Sequence, residues 1–192
     1  MKYIVICYVA LLVSCQSGNK PKKVESDTTK VETSNNINDS SEDEPTYQDM
    51  QKEYTLMYNK EIDIDTSLQV KGQIFKLRFK HYCLFDTLVI PSKYSWAESP
   101  KDFYTHNFAS KLLMTEGNDT LVNTIIKKDM FNQLLDESLI KYGVLSDPNF
   151  RGYNQTKDVI QFQYSISVPL TDVGKGVLLD IGLNGEIKAS KE

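Results

Sequence analysis

From residue 158 to residue 169 the chain alternates strictly between apolar and polar side chains. Ile160, Phe162, Tyr164, Ile166 and Val168 fall on one side, and Gln161, Gln163, Ser165 and Ser167 on the other. Successive side chains of an extended strand point to opposite faces, so this pattern belongs to a half-buried strand and not to a helix. The next stretch repeats it, with Val177, Leu179, Ile181 and Leu183 set against Leu178, Asp180 and Gly182. Asn184 and Gly185 then supply a two-residue hairpin turn, because both tolerate positive φ. A last strand covers residues 186–189, and the three strands predict an antiparallel meander.

The same alternation occurs earlier. Ile62 and Ile64 share a face with Tyr54, Leu56 and Tyr58, while Phe75, Leu77, Phe79, His81, Cys83 and Phe85 form a second in-phase row. The opposite faces carry Glu61, Asp63 and Asp65 on one strand and Lys76, Arg78 and Lys80 on the next. Antiparallel pairing around a turn near Lys71 and Gly72 sets acid against base, each cross-strand pair contributing about 0.2–1 kcal/mol. This pairing predicts that Asp63 lies beside Arg78 or Lys80. Residues 107–115 and 120–126 read as two further strands joined by a turn at Gly117, Asn118 and Asp119. Only one helix is read here: Phe131, Leu134, Leu135, Ser138, Leu139 and Tyr142 follow the 3.6-residue period, with Asp129 to cap the start and Gly143 to end it. Residues 47–192 therefore read as a single globular α+β domain with enough chain for one core. It is a mainly antiparallel sheet, or two packed sheets, with one or two helices on one face.

The N-terminus reads differently. Met1 and Lys2 precede ten apolar residues from Ile4 to Val13, and then come Ser14 and Cys15. Such a run is shorter than the roughly 20 residues a spanning helix needs and fits a signal-peptide core of about 7–15. Leu12, Val13, Ser14 and Cys15 form the pattern of a lipoprotein signal, in which the Cys15 thiol takes a diacylglyceryl group before cleavage ahead of it. Residues 1–14 are thus the signal peptide, and residues 15–46 the lipidated cysteine and a disordered linker. The linker is polar and nearly free of large apolar groups, a composition that cannot offset the entropy of ordering. Thirty such residues reach about 30 Å.

Charge and cysteine count narrow the function. Removal of the signal takes away Lys2 and leaves 21 basic against 26 acidic residues, a net of −5. An acidic chain is poorly suited to nucleic acid, whose affinity rests on Lys and Arg. It also has no polybasic run for anionic lipid, so the membrane is held through acyl chains on Cys15, two of which suffice for stable anchoring. Cys7 leaves with the signal and Cys15 is acylated, so Cys83 is the one free thiol and no intramolecular disulfide forms. Cys83 reads as a small buried hydrophobe.

Candidate chemistry is sparse. Glu61, Asp63 and Asp65 are three carboxylates on one strand face, but calcium takes six to eight oxygens from a loop that wraps it. Charge pairing with the neighbouring strand is the simpler reading. His81, in phase with a core row, reads as a hydrogen-bonded buried or rim histidine. His106 ends a segment that concentrates Tyr94, Trp96, Phe103 and Tyr104. Aromatics with polar neighbours suit sugar stacking or a protein hot spot, and equally a loop folded onto the core by its own rings. No Gly-x-Ser-x-Gly elbow, glycine-rich phosphate loop or His-Glu-x-x-His pattern is present, so no cofactor, metal or catalytic residue is assigned.

The signal motif and polar linker resemble the outer-membrane lipoproteins of Bacteroidetes. The C-terminal half, from about residue 105 to 187, resembles one of their domains of unknown function. The residues that carry this are Ile126-Lys127-Lys128-Asp129-Met130-Phe131, Lys141-Tyr142-Gly143-Val144-Leu145, Ser165-Ile166-Ser167-Val168-Pro169-Leu170-Thr171-Asp172 and Val177-Leu178-Leu179-Asp180-Ile181 before Asn184-Gly185. The resemblance implies an outer-membrane destination and no assigned activity. Gln16-Ser17-Gly18-Asn19-Lys20 lacks the early acidic run associated with surface export in these bacteria, which favours a periplasm-facing placement. Exported proteins of this group also carry O-glycans at Asp followed by Ser or Thr and then an aliphatic residue or Thr. Thr28, Thr87 and Thr120 fit that pattern, and access decides among them, since a glycan needs a surface position.

The expectation is a lipid-anchored envelope protein, a non-enzymatic binding or accessory module with an envelope protein or glycan as partner. The alternative is an envelope hydrolase acting on glycan or peptide with His106 as acid/base. An enzyme requires a concave pocket with His106 within hydrogen-bond reach of a carboxylate or hydroxyl. A binding module requires an exposed aromatic patch or an open sheet face.

Overall fold

The computed structural model describes residues 45–94 and 101–192. The signal peptide, Cys15, Thr28, Trp96 and nearly all of the linker read in the sequence lie outside the described residues. The first element is a helix, α1 (Tyr47–Leu56), followed by a 3-10 turn at Met57–Asn59. This corrects the strand-like reading of Tyr54, Leu56 and Tyr58. A capping box decides it: Asp49 N–H donates to Thr46 Oγ1 while Thr46 N–H donates to the Asp49 carboxylate. The i, i+4 spacing of Tyr54 and Tyr58 then brings their rings edge to face at 5.9 Å.

Strands β1 (Ile62–Val70) and β2 (Gln73–Cys83) form the expected hairpin. Lys71 and Gly72 have φ of +52° and +84°, the left-handed pair of a two-residue turn that matches strand twist. The register places Asp63 opposite Lys80 and Asp65 opposite Arg78, as the charge pattern predicts. Phe75, Leu77, Phe79, His81 and Cys83 are all buried. Phe85 is a correction: β2 ends at Cys83, φ at Phe85 is +52°, and its ring is 63% exposed.

A two-stranded excursion, β3 (Leu88–Ile90) with β4 (Phe103–Thr105), precedes β5 (Phe108–Glu116) and β6 (Asp119–Ile126). The first large sheet has the order β1-β2-β5-β6, antiparallel throughout. The single helix read over residues 129–142 is instead two pieces. A 3-10 segment covers Lys128–Leu134, and α2 covers Glu137–Tyr142. Leu135 is extended between them, and the carboxylate of Asp136, not Asp129, caps α2 by accepting from Leu139 N–H. Gly143 ends α2 as expected. A Cβ there would lie 2.5 Å from the Leu139 carbonyl oxygen and 3.0 Å from Ile166 Cγ2.

The second sheet has the order β10-β9-β8-β7. Its strands are β7 (Val144–Asn154), β8 (Val159–Ser167), β9 (Gly174–Gly182) and β10 (Ile187–Lys191), and the last three are the predicted meander. Strand β7 is absent from the sequence reading because two register shifts and Pro148 break its alternation. The final turn is also a correction. Gly185 N–H donates to Gly182 and Gly182 N–H to Glu186, so three residues close the hairpin and Gly185 takes the left-handed position at φ +84°.

Both large sheets contribute to one core, where the Phe79 ring stacks on Phe162 at 4.6 Å. A surface ion pair of 2.6 Å joins Lys71 in the β1–β2 turn to Asp158 in the β7–β8 turn. Gly185 tests how closely the last hairpin packs. A Cβ there would strike the Leu121 carbonyl oxygen, whereas at Gly72, with the same φ, it meets nothing within 4 Å. Gly72→Ala is expected to cost about 1–2 kcal/mol for the left-handed backbone alone. Gly185→Ala is expected to cost more, because the backbone of β6 must also move. Urea midpoints of the two variants check the order, and equal losses would show that the turn at Gly185 is free to shift.

Candidate functional site

Among the described residues of the aromatic segment, Tyr94, Phe103, Tyr104 and His106 face different surroundings, and Trp96 lies outside the described residues. Strand β4 alternates, so Phe103 and Thr105 are buried while Tyr104 is 67% exposed on the other side. Phe103 packs against Tyr54 at 5.8 Å, and Tyr94 packs against Tyr142 at 4.9 Å. His106 is half-buried against Tyr58 at 4.6 Å and Phe85 at 5.6 Å. Its Nδ1 meets the backbone carbonyl of Asp86, so that nitrogen carries the proton. The Asp86 carboxylate is occupied by Asn107, accepting from its backbone N–H at 2.7 Å and its side-chain amide at 2.8 Å. These bonds hold the residues around Phe85 in place; His106 has no carboxylate or hydroxyl partner among the described residues.

A second cluster surrounds His81, which is 3% exposed. Its ring lies flat on Phe108 at 5.4 Å, and Nδ1 pairs with Ser110 Oγ at 2.9 Å. Burial pushes its pKa down to about 4, against a small opposing effect of the Asp147 charge. One side of the ring lines a cavity of about 50 Å³ with Met57, Lys60, Ser146 and Asp147, a volume on the scale of one or two waters. Ser110 is completely buried, so the hydroxyl of this Ser–His pair is closed to any substrate. Beyond Ser110 lies Tyr164. Its hydroxyl feels Ser110, yet it stands outside hydrogen-bond geometry and has no partner among the described residues. Burial holds it well above the usual tyrosine range. Cys83 is likewise buried, and burial raises its thiol, in keeping with its reading as a small hydrophobe.

The third candidate is the solvent face of the first sheet. Asp63 and Asp65 on β1, Arg78 and Lys80 on β2, and Lys111 and Leu113 on β5 border a depression of about 420 Å³. Arg78 Nε lies 3.4 Å from Asp65, and Lys80 Nζ lies 2.7 Å from Glu61. Asp65 on β1 and Glu61 just before it thus serve charge pairing, as expected, while Asp63 stands opposite Lys80 in the register without an ion pair among the described residues. Among the described residues no group of three or more His, Cys, Asp or Glu side chains is placed to hold a metal ion. The first cation row was legible in the sequence. Lys111 was missed, because the alternation of β5 says which face it takes but not that β5 lies beside β2.

The family model described as a domain of unknown function (DUF4738) matches residues 20–189. The chain belongs to this family. The DUF4738 match runs far upstream of the C-terminal stretch that carries the resemblance read in the sequence. It takes in α1, both large sheets except the last two residues of β10, and most of the residues read as linker. No curated protein matches the chain.

Proposed function

We propose that this DUF4738 protein is a lipid-anchored module of the cell envelope, of the Bacteroidetes lipoprotein type, that binds a partner without catalysing a reaction. In this reading acyl chains on Cys15 hold it at the outer membrane facing the periplasm, and the domain meets an envelope protein or glycan. The observation that carries the binding role is the open charged face between β1, β2 and β5, with its depression in reach of solvent. Two placements favour binding over hydrolysis. Ser110 is sealed in the core beside His81, and His106 has no carboxylate or hydroxyl partner among the described residues.

The anchor is tested in the native host. Cys15→Ala should accumulate as an unprocessed precursor that takes up no labelled fatty acid, and equal acyl labelling of the variant would end the claim. Intact mass of the same native protein reads glycosylation at Thr28, Thr87 and Thr120, of which Thr87 and Thr120 are exposed. Hexose-sized increments are expected, and a mass of polypeptide plus acyl groups alone removes that proposal. The binding role is tested by incubating the protein with envelope glycan and peptide. Retention of unchanged material supports it, whereas product formation that disappears in His106→Ala would replace it with the hydrolase.

A further inference from the structure

We propose that the solvent face of the β1-β2-β5-β6 sheet binds an acidic sugar, with the sugar carboxylate held between Arg78 and Lys111. This rests on the reading of the domain as a binding module and names its ligand class. The face breaks a rule of sheet design. Lys80 and Lys111 are direct partners across β2 and β5, and like charges placed opposite one another destabilise a sheet. Glu61 takes up the Lys80 charge at 2.7 Å. Lys111 has no ion pair among the described residues. The compensation stops at Lys80, and a local rule broken with one charge left unmatched points to a functional position.

Arg78 is the second element. It approaches Asp65 through Nε, at 3.4 Å, with both groups largely in water. Its two terminal nitrogens make no hydrogen bond among the described residues. A guanidinium fork matches a carboxylate with two parallel hydrogen bonds. Leu113 faces Arg78 across the strands, with Lys111 two residues further along β5. The fork and the Lys111 ammonium are therefore diagonal neighbours over the same depression.

Charge arithmetic selects the occupant. In a chain of net charge −4, this face sets Lys76, Arg78, Lys80 and Lys111 against Glu61, Asp63 and Asp65, four cations to three carboxylates. A local excess of one positive charge suits a ligand with a single negative charge per ring. A dense anion, such as a phosphorylated surface, meets three carboxylates at the β1 edge. Those same carboxylates accept hydrogen bonds from hydroxyl groups, and Asp63 has no ion pair among the described residues. Leu113 lies in the depression and Ile125, 50% exposed, pairs with Lys111 on its far side. Both offer apolar surface to the C–H face of a sugar ring. About 420 Å³ falls within the range of small-ligand sites.

The test is titration of the full chain with trigalacturonate, read by calorimetry. Galactotriose, the neutral counterpart, serves as comparison, as do inorganic phosphate and phosphatidylglycerol vesicles. Trigalacturonate should bind, galactotriose about tenfold or more weakly, and Arg78→Lys and Lys111→Glu should each lose about tenfold or more. Lys188→Glu, on β10 of the other sheet, should bind as the parent does. Circular dichroism and thermal midpoints equal to the parent's establish that the variants fold. Equal binding of galactotriose, undiminished binding by Lys111→Glu, or tighter binding of phosphate or vesicles would each overturn the inference. So would no binding of trigalacturonate, although retention of another envelope ligand would then leave the binding-module reading standing. Cleavage of trigalacturonate, by contrast, would overturn that reading while leaving the site in place.

Discussion

Phe162→Ala is expected to lose about 3–5 kcal/mol of folding stability, the range for a fully buried phenylalanine. The residue is completely buried on β8. Its ring stacks on Phe79 of the opposing sheet at 4.6 Å and leans on Phe150 of β7 at 5.1 Å. Truncation therefore removes the transfer free energy of the ring, two aromatic contacts, and packing between the sheets at once. Strands on both sides are held in register and cannot collapse into the space, which puts the loss toward the upper end. Total stabilities of about 5–15 kcal/mol make this a large fraction. A urea melt should show a midpoint lower by about 1–3 M, taking the usual slope for a domain of this size. Ile74→Ala, at a position 56% exposed, should move it little. A small shift for Phe162→Ala would mean that the two sheets do not share this contact.

The second large effect is on acid stability. An imidazole buried as His81 is must charge on unfolding, with its pKa near 4 when folded and about 6.5 in the open chain. Between those values the unfolded state binds the extra proton, so stability rises with pH. The contribution is complete above pH 6.5, falls as the pH drops, and is lost by about pH 4. The difference amounts to about 3 kcal/mol. Lys60 and Asp147 border the same cavity, and the Asp147 charge works against the downward shift that burial imposes on His81. The carboxylates with lowered pKa, Asp49, Asp136 and Asp158, add their own losses only at lower pH. Denaturation midpoints between pH 7.5 and 4.5 should therefore fall steeply for the parent. His81→Gln should flatten that slope while starting from a lower stability. An identical slope in the variant would place the acid sensitivity elsewhere.

Strand identity was legible because a strand writes its burial directly into alternate residues. The meander of β8, β9 and β10, the hairpin of β1 and β2, and the acid–base register between them all follow from that one rule. The readings that failed share a cause: local patterns with two solutions. Tyr54 and Tyr58 satisfy a period of two and a spacing of four, and the capping box at Thr46 and Asp49 chooses the helix. Leu134 and Leu135 satisfy the helical period, but the Asp136 cap restarts the helix after them. Strand β7 hides its alternation behind a bulge at Asp147, where φ is +49°.

By itself, then, the sequence determined the fold class, most strand positions and the β1–β2 register, since these depend on neighbours along the chain. Which strands lie side by side was decided only in three dimensions, where β5 docks on β2 and sets Lys111 against Lys80. The same packing buries Phe103, seals Ser110 against His81 and ties His106 to Asp86. A candidate site depends on contacts between residues distant in sequence. Alternation gives the face a side chain takes, and only the packed sheets give it a neighbour.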